Sequence, residues 1–248
     1  MGDARSYLVN EVYPCLQGEG ASLGRPSILV RFQICNLRCT WCDTPYTHTF
    51  RSDPLEPGRP EAGQAFQRLS VEELVARIRP HAPVRHLILT GGEPTLQNPV
   101  PLMDALGEGH TAEVETNGTR IPHRAHAGFA ESDYGRFQWN VSPKGANAGE
   151  TWDDEALRFW ADLARTHPLV YFKFVVRSAD GLFEADLAEA VSFVERFGAP
   201  RERVYLMAEG TTQESQLGRT RLHDACLALG FLYTPRLHVI LFGPRRGV

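Results

Sequence analysis

Apolar and polar positions along this chain follow two periods in turn. Short apolar runs recur at 6–14, 27–34, 86–90, 112–116, 137–141, 169–176, 204–207 and 237–242, and each predicts a strand. Pro14 is expected to end the first of them. Arg31, Lys173 and His238 each place a charged or titratable residue inside one of these runs. Between the strands, apolar residues recur every three or four positions, the spacing of a helix with one buried face. Ser70-x-x-Glu73 forms a capping box ahead of Val71, Leu74, Val75 and Ile78, and Pro80 and Pro83 should stop that helix. Further helices are expected over 100–106, 153–166, 182–197 and 215–229, the one over 182–197 with Leu187, Val191, Val194 and Phe197 as its stripe. Residues 43–69 hold four prolines and little periodicity, and predict a long loop.

Strand, loop, helix, strand at this pitch implies parallel βαβ units, hence the α/β class. A closed eightfold barrel takes about 250 residues. This chain of 248 spends many of its residues on loops, so a partial, open barrel is the expectation. It would form a single domain over 1–248 with a C-terminal strand and tail at 237–248.

Polar residues gather where the strands end: Cys35, Cys39 and Cys42; Thr90 to Glu93; Glu115 to Asn117; Ser142 to Lys144; and Glu209. Barrel enzymes place their chemistry at that end. The densest group is Cys35-Asn-Leu-Arg-Cys39-Thr-Trp41-Cys42, three cysteines at C-x3-C-x2-C. A [4Fe–4S] cluster normally takes four Cys ligands, so three would leave one iron open to a small molecule. The competing reading is a structural zinc site with His48 or Cys15 as fourth ligand. Such sites usually pair two short motifs, and the sequence has no second C-x2-C or H-x3-H. Cys15 and Cys226 stand alone and read as small core residues.

The cysteine spacing, with an aromatic residue before the third cysteine, resembles the radical S-adenosylmethionine (SAM) enzymes, and Gly91-Gly92-Glu93-Pro94 resembles that superfamily's SAM-binding motif. The ordered set is narrower. Leu16-Gln17-Gly18-Glu19-Gly20, Cys42-Asp43-Thr44, Gly91-Gly92-Glu93-Pro94, Glu115-Thr116-Asn117-Gly118, Ser142-Pro143-Lys144 and the ending 237–248 are similar to the 7-carboxy-7-deazaguanine synthase family. The resemblance implies a radical-SAM type partial barrel and a ring contraction of 6-carboxy-5,6,7,8-tetrahydropterin to 7-carboxy-7-deazaguanine and ammonia, on the route to queuosine. It implies a radical generated on SAM and no catalytic acid or base from the chain. The cluster would rest on Cys35, Cys39 and Cys42, and Mg²⁺ on Thr44. SAM would meet Trp41, Cys42, Asp43, Gly92, Glu93, Ser142, Pro143 and Lys144. The substrate would meet Leu16, Gln17, Gly18, Arg31, Thr90, Glu115 and His238.

The residue types suit those roles. A carboxylate such as Glu115 accepts two donors from a guanidine-like edge, and Arg31 suits a substrate carboxylate. Their alternatives are structural: a core-edge salt bridge for Glu115, a solvated edge position for Arg31, a satisfied core histidine for His238. Other functions with the same cysteines are a glycyl-radical activase or a non-catalytic iron–sulfur or zinc module.

Net charge changes the picture only by exclusion: at −4 it gives no bulk attraction to nucleic acid. No stretch approaches the roughly 20 apolar residues of a membrane span, and no signal peptide is read. Five cysteines, three of them clustered, suit a reducing cytoplasm better than a disulfide framework. The resemblance adds a homodimer and an electron donor such as flavodoxin or ferredoxin.

Overall fold

The computed structural model describes residues 6–48 and 66–247. Nine strands and eight helices are seen there: β1 Ser6–Leu16, β2 Pro26–Phe32, β3 Gln67–Ser70, α1 Val71–Ile78, β4 His86–Gly91, α2 Val100–Leu106, β5 Thr111–Thr116, α3 Pro122–Ala125, β6 Phe137–Val141, α4 Asp154–Thr166, β7 Val170–Val176, α5 Leu182–Phe197, β8 Val204–Ala208, α6 Gln213–Gln216, α7 Thr220–Leu229, β9 Leu232–Thr234 and α8 Leu237–Phe242. They pack as two compact units that interleave in sequence, one of residues 1–15, 26–116 and 120–137, the other of 16–25, 117–119 and 138–248.

The strand order is β3-β1-β2-β4-β5 in the first unit and β6-β7-β8-β9 in the second. β2, β4 and β5 run parallel, as do β6 to β9, and β3 pairs antiparallel with β1. The architecture is the expected open α/β type. Among the described residues, neither run closes into a barrel.

Capping chemistry sets the helix starts. Ser70 Oγ accepts from Glu73 N and Glu73 returns a carboxylate to Ser70 N, so α1 begins where the capping box predicts. Asp153 accepts from Ala156 N and opens α4. In the first unit the core holds Ile28, Val30, Phe32, Leu74, Ile78, Leu87, Leu89 and Leu102, all 1 % exposed or less. In the second, Trp139 packs on Trp160 with centroids 4.9 Å apart, and Phe193 lies 4.8 Å from Phe172 and 5.3 Å from Phe197. Burying side chains of this size contributes about 1.5–3 kcal/mol each.

Four expectations need correction. Pro14 does not end β1, which continues to Leu16. β1 pairs with β3 only over Ser6–Val9, so the N–H that proline lacks is not needed on that side. The stripe of α5 is Phe183, Asp186, Ala190, Phe193, Val194 and Phe197; Leu187 and Val191 sit at its margin. The face was displaced because Asp186 is buried, held by Arg177 through Nε at 3.0 Å and Nη2 at 2.6 Å. The helix expected over 215–229 is two, α6 and α7, parted at Leu217-Gly218, where glycine is a poor helix former. The closing strand at 237–242 is instead the helix α8, and β9 at Leu232–Thr234 takes the last place in the sheet. A six-residue apolar run has no period that separates strand from helix. Of the expected loop, 49–65 lies outside the described residues, while 45–47 form a 3-10 turn and 67–69 belong to β3.

Candidate active site

The cysteine loop lies in the first unit, directly after β2. Cys35, Cys39 and Cys42 are half-buried and none is in a disulfide. Cys42 N donates to Cys39 O at 3.2 Å, and Leu37 N lies 3.5 Å from Cys35 Sγ, placed to donate to it. Burial pushes the Cys35 thiol up to about 11; Leu37 N–H opposes this, and Glu93, Cys39 and Cys42 add to it. Among the described residues no three His, Cys, Asp or Glu side chains gather closely enough to hold one metal ion. A four-iron cluster asks for something else, one thiolate per iron, and three thiols on an eight-residue loop with a backbone N–H beside one of them fit that demand.

Gly91-Gly92-Glu93 packs against this loop. Gly92 N donates to Phe32 O at 3.0 Å and Glu93 N to Ile34 O at 2.7 Å. A Cβ on Gly92 would collide with the Ile34 carbonyl, and one on Gly91, at φ +115°, would lie 2.8 Å from Arg31 Cγ. The glycines first admit the chain's own backbone at Phe32 and Ile34, just ahead of Cys35. The Glu93 side chain, fully buried, accepts from Thr95 N (2.9 Å), Thr95 Oγ1 (2.6 Å) and Thr116 Oγ1 (2.7 Å). It holds the loop from within.

The strand register aligns three expected substrate residues. Arg31 on β2 pairs with Thr90 on β4. β4 and β5 pair Leu89 with Val114, so one further step sets Thr90 opposite Glu115. Arg31, Thr90 and Glu115 therefore form a row across three neighbouring strands on one face of the sheet. Arg31 does not stand on an edge strand. Its Nε donates to Glu11 Oε2 at 2.5 Å, and burial, which alone would lower its pKa, is outweighed by Tyr46, Tyr13 and Glu11, so it stays charged. Thr44 Oγ1 lies 3.7 Å from Cys42 Sγ. The turn at 45–47 uses the Thr44 carbonyl, which accepts from Thr47 N and Oγ1, and makes no cap bond to the Thr44 side chain. Trp41 is half-buried and Asp43 exposed.

The second unit assembles the 16–20 segment with the chain's end. Gln17 is buried and ties its own loop: N donates to Arg25 O, O accepts from Gly24 N, and Oε1 accepts from Glu19 N. Leu16 is 46 % exposed. Gly18 O accepts from Leu237 N at 2.8 Å, and its missing Cβ would lie 2.5 Å from His238 Nδ1. Elsewhere in the unit, Lys144 Nζ folds back to donate to Ser142 Oγ (2.5 Å) and O (3.0 Å), and Ser142 Oγ donates to Lys173 O at 2.9 Å; Pro143 is buried.

Sequence reasoning missed the charges that hold these groups. Glu19 accepts from Lys173 Nζ at 2.5 Å and Arg236 Nε at 3.2 Å. Burial alone would raise its carboxyl; Lys173, Arg236 and His238 together hold it well below the usual carboxylate range. The signal was present: Lys173 inside an apolar strand requires a counter-charge. Glu11 beside Arg31 carried no comparable signal, whereas His48, which the sequence offered as a zinc ligand, lies beside Cys42.

A family model described as the Radical SAM superfamily matches residues 29–142. Curated relatives match nearly the whole chain. The 7-carboxy-7-deazaguanine synthase of Pyrobaculum aerophilum is 36 % identical over 96 % of this chain and 96 % of its own. That of Halobacterium salinarum is 35 % identical over 97 % and 92 %, and that of Rhodopirellula baltica 31 % over 99 % and 92 %. The crystal structure of QueE from Escherichia coli superposes with a TM-score of 0.68 at 24 % identity, covering 94 % of this chain and 95 % of that one, a likeness of fold.

Proposed function

The chain belongs to the 7-carboxy-7-deazaguanine synthase family of radical SAM enzymes, and from that premise we propose how its residues divide the work on 6-carboxy-5,6,7,8-tetrahydropterin. Relatives matched over 94–99 % of the chain set aside the glycyl-radical activase and the metal-holding module. Cys35, Cys39 and Cys42 hold the [4Fe–4S] cluster. When bound, it supplies the low-potential electron with which SAM yields its radical. Trp41, Cys42 and Asp43, the backbone of Gly92 and Glu93, and Ser142, Pro143 and Lys144 hold SAM. Since Gly92 and Glu93 spend their N–H groups on Phe32 and Ile34, this stretch meets a ligand with carbonyls, which suit an amino group.

Glu115 accepts from the pterin's guanidine-like edge, and Arg31 turns to the substrate carboxylate the guanidinium edge that Glu11 does not hold. Thr90 lies between them. Leu16, Gln17 and Gly18 meet the ring with backbone and amide groups, beside His238. Thr44 places its hydroxyl on a Mg²⁺ ion that the substrate carboxylate completes, since one neutral hydroxyl is a poor site alone. Both units serve one catalytic domain, in a cytoplasmic homodimer reduced by a flavodoxin or ferredoxin. Among the described residues no helix is long and apolar enough to cross a membrane.

The observation that carries the substrate assignment is the Arg31–Thr90–Glu115 row, in which a cation, a hydroxyl and an anion face the same way at the strand ends. The test is Glu115→Gln. Substrate turnover should fall or its KM rise, while slow substrate-independent SAM cleavage persists. Equal loss of both would assign Glu115 to the fold or to SAM.

A further inference from the structure

His48 Nε2 lies 3.3 Å from Cys42 Sγ. The ring is not there by the accident of a loose loop. The 3-10 turn ahead of it is fastened to the segment that leads into Cys35: Ile34 N donates to Thr47 O at 2.7 Å, and Gln33 Nε2 donates to Tyr46 O at 2.8 Å. Thr47 is fully buried, and His48 N donates to Pro45 O at 3.2 Å. Two strand-end residues thus fix the turn, and the turn aims the imidazole at the third cysteine of the loop. No third His, Cys, Asp or Glu joins the pair in a metal-holding group among the described residues.

A free thiol can donate or accept, but a thiolate bound to iron can only accept. With Cys42 as a cluster ligand, the imidazole at this distance has one productive role, to donate Nε2–H. We infer that His48 is a positioning residue of the cluster's electronics: it donates a hydrogen bond to the iron-bound Cys42 sulfur and raises the reduction potential of the cluster. Hydrogen bonds to cluster sulfurs withdraw charge from the thiolate and make the added electron easier to accept. The neighbouring Thr44 hydroxyl, 3.7 Å from the same sulfur, is too far to supply the bond at full strength. The inference rests on Cys42 being a ligand, and the iron content of Cys42→Ala tests that assignment by itself.

The experiment is a potentiometric titration of the anaerobically reconstituted enzyme followed by EPR, for the parent, His48→Phe and His48→Gln. All three should carry the same iron. His48→Phe should shift the midpoint to more negative potential, and His48→Gln, which keeps an N–H donor, should recover part of that shift. An unchanged midpoint in His48→Phe overturns the inference, as does loss of iron in His48→Phe, which would make the ring a ligand. Independently of any variant, the reduced parent with ¹⁵N-histidine should show a weak ¹⁵N coupling to the cluster. Either no coupling or the strong coupling of a direct ligand contradicts the proposal.

Discussion

Gly18 and His238, 220 positions apart in sequence, stand so close that a Cβ on Gly18 would lie 2.5 Å from His238 Nδ1. The backbone joins there too, Leu237 N donating to Gly18 O at 2.8 Å. The first turn of α8 is thereby seated on the 16–25 loop, and two expected substrate residues meet without either being chosen for the other.

Gly18→Ala should displace the imidazole, because the nearest atoms include His238 N, which cannot move without unseating α8. We expect a stability loss of about 1–3 kcal/mol, typical of overpacking, and a raised KM for the substrate with SAM binding kept. In the His238→Ala background the added methyl should cost far less. A double-mutant cycle on thermal unfolding measures this; additive losses would place the strain elsewhere.

Glu19 lies between Lys173 and Arg236, and its side chain is 15 % exposed. Glu19→Gln strands two poorly solvated cations and should cost on the order of 3 kcal/mol. The carboxyl is held low in the folded state, so its contribution is complete above the unfolded value of about 4.3 and is lost as pH falls through the folded value. The Tm difference between parent and Glu19→Gln should therefore be constant above about pH 5 and narrow below about pH 4. A difference independent of pH down to acid unfolding would mean that the ion triad is not its source.

Glu93 is an internal brace, fully buried with three donors upon it. Thr116→Val, which removes one of those donors without touching the Gly91–Glu93 backbone, should lower stability by about 1–2 kcal/mol. It should weaken SAM binding only modestly, whereas Glu93→Ala should lose both together. Equilibrium unfolding and SAM titration on the same samples decide. Loss of SAM affinity in Glu93→Ala at unchanged stability would return the carboxylate to SAM.

Thr44 leaves its hydroxyl out of the turn that its carbonyl caps. Chelator-treated parent enzyme should regain turnover on titration with Mg²⁺, and Thr44→Ala should lose most of that stimulation. A parent indifferent to Mg²⁺ would remove the ion from the account.

Much of this was legible in the sequence. The capping box at Ser70 and Glu73 and the β-rich run before Cys35 state their own structure, because each is a local signal. Residue types at strand ends also marked out the candidate site. What the sequence withheld is non-local. The burial of Glu93 depends on Thr95 and Thr116 converging from two strand ends, and the role of Gly91 and Gly92 in admitting the Phe32–Ile34 backbone is visible only once that backbone is in place. The Leu237–Phe242 run turned out helical because its first turn docks on Gly18, a tertiary choice that a short apolar run leaves open. Lys173 announced a partner without naming it.

The most direct measurement is turnover by the anaerobically reconstituted, reduced protein given SAM and 6-carboxy-5,6,7,8-tetrahydropterin, with products followed by mass spectrometry and ammonia assay. The account predicts 7-carboxy-7-deazaguanine and ammonia in equal amounts, over many turnovers for each SAM lost, and none from the Cys35→Ala, Cys39→Ala or Cys42→Ala proteins. SAM cleavage that proceeds with full cluster loading while the pterin is returned unchanged would contradict it.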